Sequence, residues 1–364
     1  MRRPIVLLAA LAALVTGGLR GQGSGTVLLP DPSNPTTRVG TRGANFLEIG
    51  VGARGQGLAG GYTAIAEGVT AMYWNPAGIA DIEGPAAAFT ITKLYGDMGI
   101  NHTFAGAVMP VGSAGAFGIA ITSLSSGDIL RTTEAFPEGG DPTVGRTFSY
   151  TASAAGLYFA RRLTDRLDLG VGVKYASEGI DNARANYVGV DIGTKFRTGL
   201  YGTHIAASLS NLGTSGRYRG AAIQAFAVGS FGTVPFEFGT RSIQMPTLFR
   251  FSVRSDLVGA SDALLTANKE HDLVAIVEAD NAIDTDIQLV TAAQYSFHNI
   301  IFARIGKKWV NEKQTSFRSG SFGLSYGAGV KLPFAGGRRF SFDYAYTNMA
   351  DLSNIQVFSL ELGF

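Results

Sequence analysis

Apolar and polar residues alternate with a period of two over much of this chain. From Val188 to Arg197 one face carries Val188, Val190, Ile192, Thr194 and Phe196, and the other carries Gly189, Asp191, Gly193, Lys195 and Arg197. Leu167, Leu169, Val171, Val173 and Tyr175 stand in the same way against Asp168, Gly170, Gly172 and Lys174. Phe340, Phe342, Tyr344 and Tyr346 oppose Arg339, Ser341, Asp343, Ala345 and Thr347, and Phe249, Phe251 and Val253 oppose Arg250, Ser252 and Arg254. The charges of each segment gather on one side, as they do when the two faces of a strand meet different surroundings. On a membrane barrel those surroundings are lipid and lumen, and a Lys or Arg turned to mid-bilayer costs about 2–4 kcal/mol. A soluble sandwich also alternates, so the period alone leaves both architectures open.

Reading such segments along the chain predicts strands near 86–93, 102–110, 114–124, 147–161, 167–177, 187–197, 203–210, 247–256, 271–280, 287–296, 299–309, 320–332, 338–347 and 355–364. That is about fourteen, an even number as bacterial barrels require. If both termini are periplasmic, the longest connections, 125–146 and 211–246, fall outside. Those expected inside are short, such as Arg162 to Arg166 and His298, with 257–270 the exception. Met98 to Gly127 carries no charge and could be taken for a membrane helix, but Pro110 and Gly112 at its centre divide it into a hairpin. The end of the chain, Phe358-Ser359-Leu360-Glu361-Leu362-Gly363-Phe364, is an alternating strand closed by an aromatic residue. It resembles the C-terminal strand recognised by the outer-membrane barrel-assembly machinery, with Phe358, Leu360, Leu362 and Phe364 as the apolar face.

Composition moves the balance toward lipid. The chain is 46% hydrophobic and only 16% charged, against roughly 25% charged in soluble domains. Its 49 glycines disfavour helices, since each interior glycine costs a helix about 1 kcal/mol against alanine. Arg2, Arg3, the apolar run Ile5 to Val15, and Thr16, Gly17 and Gly18 read as a secretory signal cleaved after Gly18 or Gly21. Loss of residues 1–21 removes Arg2, Arg3 and Arg20 and moves the net charge from +2 to −1, so the basic balance points to no nucleic-acid partner. The chain has no cysteine, which removes disulfide and thiolate chemistry. The expected architecture is therefore all-β: a transmembrane antiparallel β-barrel of about 14 strands in the outer membrane of a Gram-negative bacterium. The expected division is a signal peptide at 1–21, a periplasmic extension at 22–45, a hatch segment at 46–83 and the barrel at 84–364.

Ahead of the first strand stand Phe46 to Arg54, then Gly57-Leu58-Ala59-Gly60-Gly61-Tyr62-Thr63-Ala64-Ile65-Ala66, then Ala71-Met72-Tyr73-Trp74-Asn75-Pro76-Ala77-Gly78-Ile79-Ala80. This resembles the opening of the PorV/PorQ family, outer-membrane barrels related to the FadL transporters. The Tyr73-Trp74-Asn75-Pro76-Ala77-Gly78 run carries most of the likeness, and Gly57, Gly60, Gly61 and Tyr62 add to it. The family commonly has two acids where this sequence has Glu67-Gly68. The resemblance implies that the segment folds inside the lumen as a hatch with an Asn-Pro-Ala turn. Glycines at 50, 52, 55, 57, 60 and 61 permit close approach to a wall, and Tyr62, Ile65, Val69 and Met72 suit a short plug helix. Lys174, Asp191, Lys195, Arg250, Asp343 and Glu361 fall on lumen faces, where they can pair with one another or clamp the hatch.

Several motifs carry little. Gly50 to Gly55 matches a dinucleotide pattern, but that site needs a strand before it and a helix and an acid after it. Gly323 to Gly327 matches a nucleophile elbow, which requires a sharp strand-to-helix turn, whereas Ser325 falls within an alternating segment. His102, His204, His271 and His298 lack metal-ligand spacing and fall near strand ends. No catalytic residue, metal or cofactor is expected.

The resemblance leaves two function classes. In the first, the barrel is a component or cargo-binding partner of type IX protein secretion, receiving secreted proteins as they leave the translocon. The loop 211–246, with Phe226, Phe231, Phe236 and Phe238, would be its partner surface, unless those rings fold over the barrel mouth. In the second, it is a FadL-like channel for uptake of hydrophobic small molecules, with a movable hatch.

Overall fold

The computed structural model describes residues 39–229, 232–237, 239–310, 322–334 and 337–364. Residues 1–21, expected as a signal peptide, and residues 22–38 of the expected extension lie outside the described residues. Among the described residues the long strands are β1 (Ala86–Leu94), β2 (Ile100–Pro110), β3 (Ala116–Ser125), β4 (Tyr150–Thr164), β5 (Leu167–Ile180), β6 (Ala183–Arg197) and β7 (Thr203–Gly213). They continue with β8 (Leu248–Gly259), β9 (His271–Ala282), β10 (Gln288–Phe297), β11 (Ile301–Trp309), β12 (Leu324–Phe334), β13 (Arg338–Asn348) and β14 (Asn354–Gly363). Each pairs antiparallel with its neighbours, and β14 pairs with β1 from Ala86↔Gly363 to Lys93↔Gln356, closing the ring. All fourteen strands read from the alternation are present, with ends moved by a few residues.

Closure follows from the two-sided pattern. Val188, Ile192 and Phe196 turn outward and are exposed, while Gly189, Asp191, Gly193 and Lys195 turn into the lumen and are buried. The outer surface is a continuous apolar coat that includes Phe89, Ile119, Val171, Phe249, Phe342 and Leu360. A coat of this size on a water-soluble protein would exceed the few hundred Å² that monomers expose, and hydrocarbon is the solvent that tolerates it. No helix among the described residues is long and apolar enough to cross a membrane. The Met98 to Gly127 stretch is a hairpin, with Pro110 pairing Ala116 next to its turn and the Val111 N–H donating to Gly115 O at 2.8 Å.

The two ends of the barrel differ. One holds the start of β1, the end of β14 and short turns such as 111–115, 165–166 and 298–300; we call it the turn end. The other holds the long connections 126–149 and 214–247, and we call it the loop end. The 260–270 connection is the long exception at the turn end, as expected, and its Thr266 and Ala267 run parallel to the end of β8.

Candidate functional site: the hatch and its seats in the lumen

The lumen is filled by the chain's own residues 44–80. Ala44, Phe46, Leu47, Val51, Leu58, Tyr62, Val69, Met72, Trp74 and Ile79 are all buried there. The segment is a string of short turns: a 3-10 turn at Asn45–Glu48, helices at Ala53–Gly57 and Ala71–Trp74, and a second 3-10 turn at Pro76–Ile79. The plug helix expected from Tyr62, Ile65, Val69 and Met72 does not form, although all four side chains join one apolar cluster. Gly60, just before this stretch, and Gly68, within it, stand at φ +95° and +66° and break any continuous helical run.

Trp74 is the hub. Its indole N–H donates to Val51 O at 2.7 Å, Tyr62 and Tyr73 meet it edge-on, and Gly50 and Gly55 leave room for the ring. The Arg250 guanidinium from β8 lies 5.1 Å from the Trp74 ring and 5.4 Å from Tyr73, a cation–π clamp from the wall. The turn expected at Asn-Pro-Ala is present. Asn75 Oδ1 accepts the Ala77 N–H at 3.1 Å and Pro76 opens the 3-10 turn, where its missing N–H is no loss. The Asn75 amide donates back to Thr63 O and outward to Thr194 O on β6.

The wall supplies sockets for these turns. A Cβ on Gly193 would overlap the Asn75 carboxamide, one on Gly170 would overlap the Pro76–Ala77 peptide, and one on Gly306 would overlap Leu58. Gly57 meets the backbone of Gly327 so closely that an added Cβ would lie 2.9 Å from the Gly327 Cα. Of the hatch glycines expected to approach the wall, Gly57 does so backbone to backbone. Gly50, Gly52 and Gly55 instead make room for hatch side chains, while Gly60 and Gly61 face Lys308 and Val290 of the wall. Gly78 packs on Ala66 within the hatch.

Charge pins the same segment. Asp343 on β13 receives Arg54 of the hatch at 3.0 Å and Arg304 of β11 at 2.7 Å. Glu278 on β9 accepts the Thr63 N–H and hydroxyl at 3.0 and 2.9 Å. The Ser359 hydroxyl accepts the Ala53 N–H at 2.8 Å, and Glu361 lies against Gly68. At the turn end Asp81 bonds Arg162, Lys195 at 3.1 Å and Arg197 at 2.5 Å. Burial raises the Asp81 carboxyl, but Lys195, Arg162 and Arg197 outweigh it and bring the group down to about 2. Lys174 pairs Asp191 at 2.7 Å within the wall. The lumen charges thus do both things expected of them: they pair with one another and they clamp the hatch.

Two cavities flank the hatch. One of about 230 Å³, near the loop end, is lined by Glu48, Trp74, Leu248, Arg250, Asp280 and Lys308 among others. The other, about 60 Å³ and nearer the turn end, is lined by Arg54, Tyr62, Glu67, Phe302 and Lys331 among others. The hatch residues between Arg54 and Tyr62 stand between them.

The hatch does not enter and leave at the same end. Ala44, Phe46 and Leu47 pack with Ala152, Ala185, Tyr187 and Met245 at the loop end. At the other extreme Glu83 bonds Arg339 and the Phe364 N–H bonds Pro85 O at the turn end. Residues 39–45, read from the sequence as part of a periplasmic extension at 22–45, lie at the loop end, where Phe46 and Leu47 find their apolar pocket.

The remaining expected residues are placed as follows. Phe226 and Phe236 belong to a hairpin of Gln224–Gly229 with Gly232–Glu237, whereas Phe231 and Phe238 lie outside the described residues. Phe358, Leu360, Leu362 and Phe364 line the outer face of β14 and its end. Ser325 sits in the β12–β13 ladder with its hydroxyl on Thr347 at 2.9 Å, with no strand-to-helix turn at that position. Gly50 to Gly55 is preceded by a 3-10 turn rather than a strand. The histidines stand at strand ends or in a turn, and no group of metal-ligating side chains occurs among the described residues.

The sequence matches no protein-family model and no curated protein. Solved structures do match. The toluene transporter TbuX of Ralstonia pickettii is similar at TM-score 0.51 and 12% identity, over 86% of this chain and 97% of that one. The toluene transporter TodX of Pseudomonas putida is similar at 0.53 and 12%, over 86% and 96%. A FadL homologue of Pseudomonas aeruginosa is similar at 0.51 and 12%, over 86% and 98%. At this identity the likeness establishes the architecture: a closed antiparallel barrel of fourteen strands resembling FadL-type outer-membrane barrels.

Proposed function

We propose that this chain is an outer-membrane channel of a Gram-negative bacterium that admits small hydrophobic molecules past a movable hatch. The observation that carries the reading is a closed, apolar-coated barrel whose lumen is stoppered by its own amino-terminal segment. A general water-filled porin would keep that space open. A stoppered barrel passes solute only when the stopper shifts, which suits selective entry. The similar structures described as toluene transporters support the same direction. The cavity of about 230 Å³ beside Trp74 is large enough for a one-ring molecule, since benzene occupies an engineered cavity of about 150 Å³. The test is uptake of radiolabelled toluene by cells lacking other hydrocarbon channels. Expression of the protein raises the initial rate; equal rates with and without it overturn the reading.

Protein secretion is the second reading, favoured by the likeness of Tyr73 to Gly78 and its neighbours to PorV/PorQ hatches. The similar structures back the uptake channel better. Deleting the gene in its own host distinguishes the two, because secretion would leave cargo with its C-terminal domain trapped in the cell.

A further inference from the structure

We propose that the cavity beside Trp74 is built for a neutral one-ring compound that carries a hydroxyl, an aromatic alcohol, in preference to a plain aromatic hydrocarbon. The inference rests on the uptake reading above and narrows the class of solute for the same cavity.

Part of the lining suits a ring. The Trp74 indole from the hatch, Leu248 of β8, Ala282 of β9 and Met349 after β13 border the space. The charged part does not suit a hydrocarbon. Arg250 and Lys308 stand there against Glu48 and Asp280, two of each sign, so the lining offers no excess charge to draw in an ion. The cations are engaged within the protein. The Arg250 guanidinium lies over the Tyr73 and Trp74 rings, and Lys308 Nζ meets Asp280 Oδ2 at 3.3 Å. The acids are engaged only in part. Asp280 Oδ1 and Glu48 Oε1 are buried without a hydrogen-bond partner among the described residues, and so is the Nε–H of Arg250.

The unused capacity is therefore two acceptors and one donor beside a ring-sized apolar space. A hydroxyl answers both senses, because its O–H donates and its oxygen accepts. An apolar ring that displaces water from these atoms leaves them stranded, and a buried polar group without a partner costs more than a made bond gains. Sites that offer hydrogen bonds to a substrate hydroxyl accordingly reject the analogue lacking it far more strongly than an apolar pocket rejects an added hydroxyl. Toluene fits the space and strands the oxygens. Benzyl alcohol brings the same ring and satisfies one of them.

The test uses the protein's own indole. The chain has two tryptophans, and Trp309 lies on the outer surface, so Trp309→Phe leaves Trp74 as the only reporter. Purified protein, shown to be folded by heat-modifiable migration, is titrated with toluene, benzyl alcohol and anisole at free concentrations fixed by sealed dialysis. Anisole is the isomer of benzyl alcohol in which the oxygen is capped, so it keeps the polarity and loses the O–H. The proposal expects benzyl alcohol to shift Trp74 emission with a Kd about tenfold or more below those of toluene and anisole. The double variant Asp280→Leu, Glu48→Leu is expected to lose that preference, and the comparison in the parent stands whether or not this variant folds. Toluene or anisole binding as tightly as benzyl alcohol overturns the hydroxyl preference and leaves the uptake channel standing. A preference that survives in the folded double variant overturns the assignment to these two acids. Trp74 emission that answers to none of the three overturns the site, and if toluene uptake is also no faster with the protein than without it, the channel reading falls as well.

Discussion

The Asn75 carboxamide occupies the space that a side chain at Gly193 would need. One residue of the hatch turn and one position of the wall therefore exclude each other. The Asn75 amide also bonds Thr194 O, the neighbour of Gly193, so the seat is both steric and polar. Gly170 plays the same part beneath Pro76 and Ala77. Overpacking of this kind costs about 1–3 kcal/mol, and the hatch, held by scattered contacts, yields before the fourteen-strand ladder does. Gly193→Val is expected to leave heat-modifiable barrel assembly unchanged and to sensitise cells to a large antibiotic that the outer membrane normally excludes. Unchanged resistance in a folded Gly193→Val barrel would mean that this seat does not hold the plug.

Asp343 is shared by two buried arginines, Arg54 from the hatch and Arg304 from the wall. Removing the carboxylate leaves both cations in a low-dielectric lumen without their anion, and breaking such a pair costs about 3–5 kcal/mol. Asp343→Ala is expected to lower the temperature at which the barrel loses its heat-modifiable mobility. Adding Arg54→Met recovers part of that loss, because one of the stranded charges is gone. A single variant as stable as the parent would show that Arg54 and Arg304 find other partners.

Strong acid reaches the turn end through Asp81. Asp81 has its carboxyl at about 2 against an ordinary 3.8, because three cations favour its charged form. A depressed carboxyl gives stabilisation that is complete above the unfolded value and is lost as pH falls from 3.8 through about 2. Quenching by neutral acrylamide of a pH-insensitive fluorophore attached at Ile82→Cys in purified protein should therefore rise as pH falls across that window, and in Asp81→Asn it should be high already at neutral pH. A flat profile in the parent would remove Asp81 as the acid-sensitive anchor.

The barrel was legible because lipid and lumen impose a period of two that water and a core impose less strictly, and Val188 to Arg197 shows both faces in ten residues. The Asn75-Pro76 turn was expected from the family resemblance alone, and its chemistry agrees, an Asn cap followed by a Pro that opens the turn. The sockets were not legible, since a glycine in a strand reads as a weak point until something fills the gap it leaves. The signal that could have found them is placement: Gly170 and Gly193 both fall on the charged, inward face of their strands, where a side chain would otherwise stand. The route of residues 39–49 was also hidden, because Phe46 and Leu47 look the same in sequence whichever end receives them. Tyr62 to Met72 suggested a helix by spacing, and Gly68, the one residue between them free to take positive φ cheaply, undoes it.

The last strand closes the ring through two ladders, β1 on one side and β13 on the other. Deleting Val357 to Phe364 removes most of both. The truncated chain is expected to show no heat-modifiable form in outer-membrane fractions, and normal assembly would count against the closed barrel.

The plugged lumen is tested most directly by ion conductance in planar bilayers, comparing the full protein with a variant lacking residues 46–83, each shown to be folded by its heat-modifiable migration. The account predicts a nearly silent parent and large, stable openings once the hatch is gone. An open parent, or a folded hatchless barrel that stays silent, would contradict it.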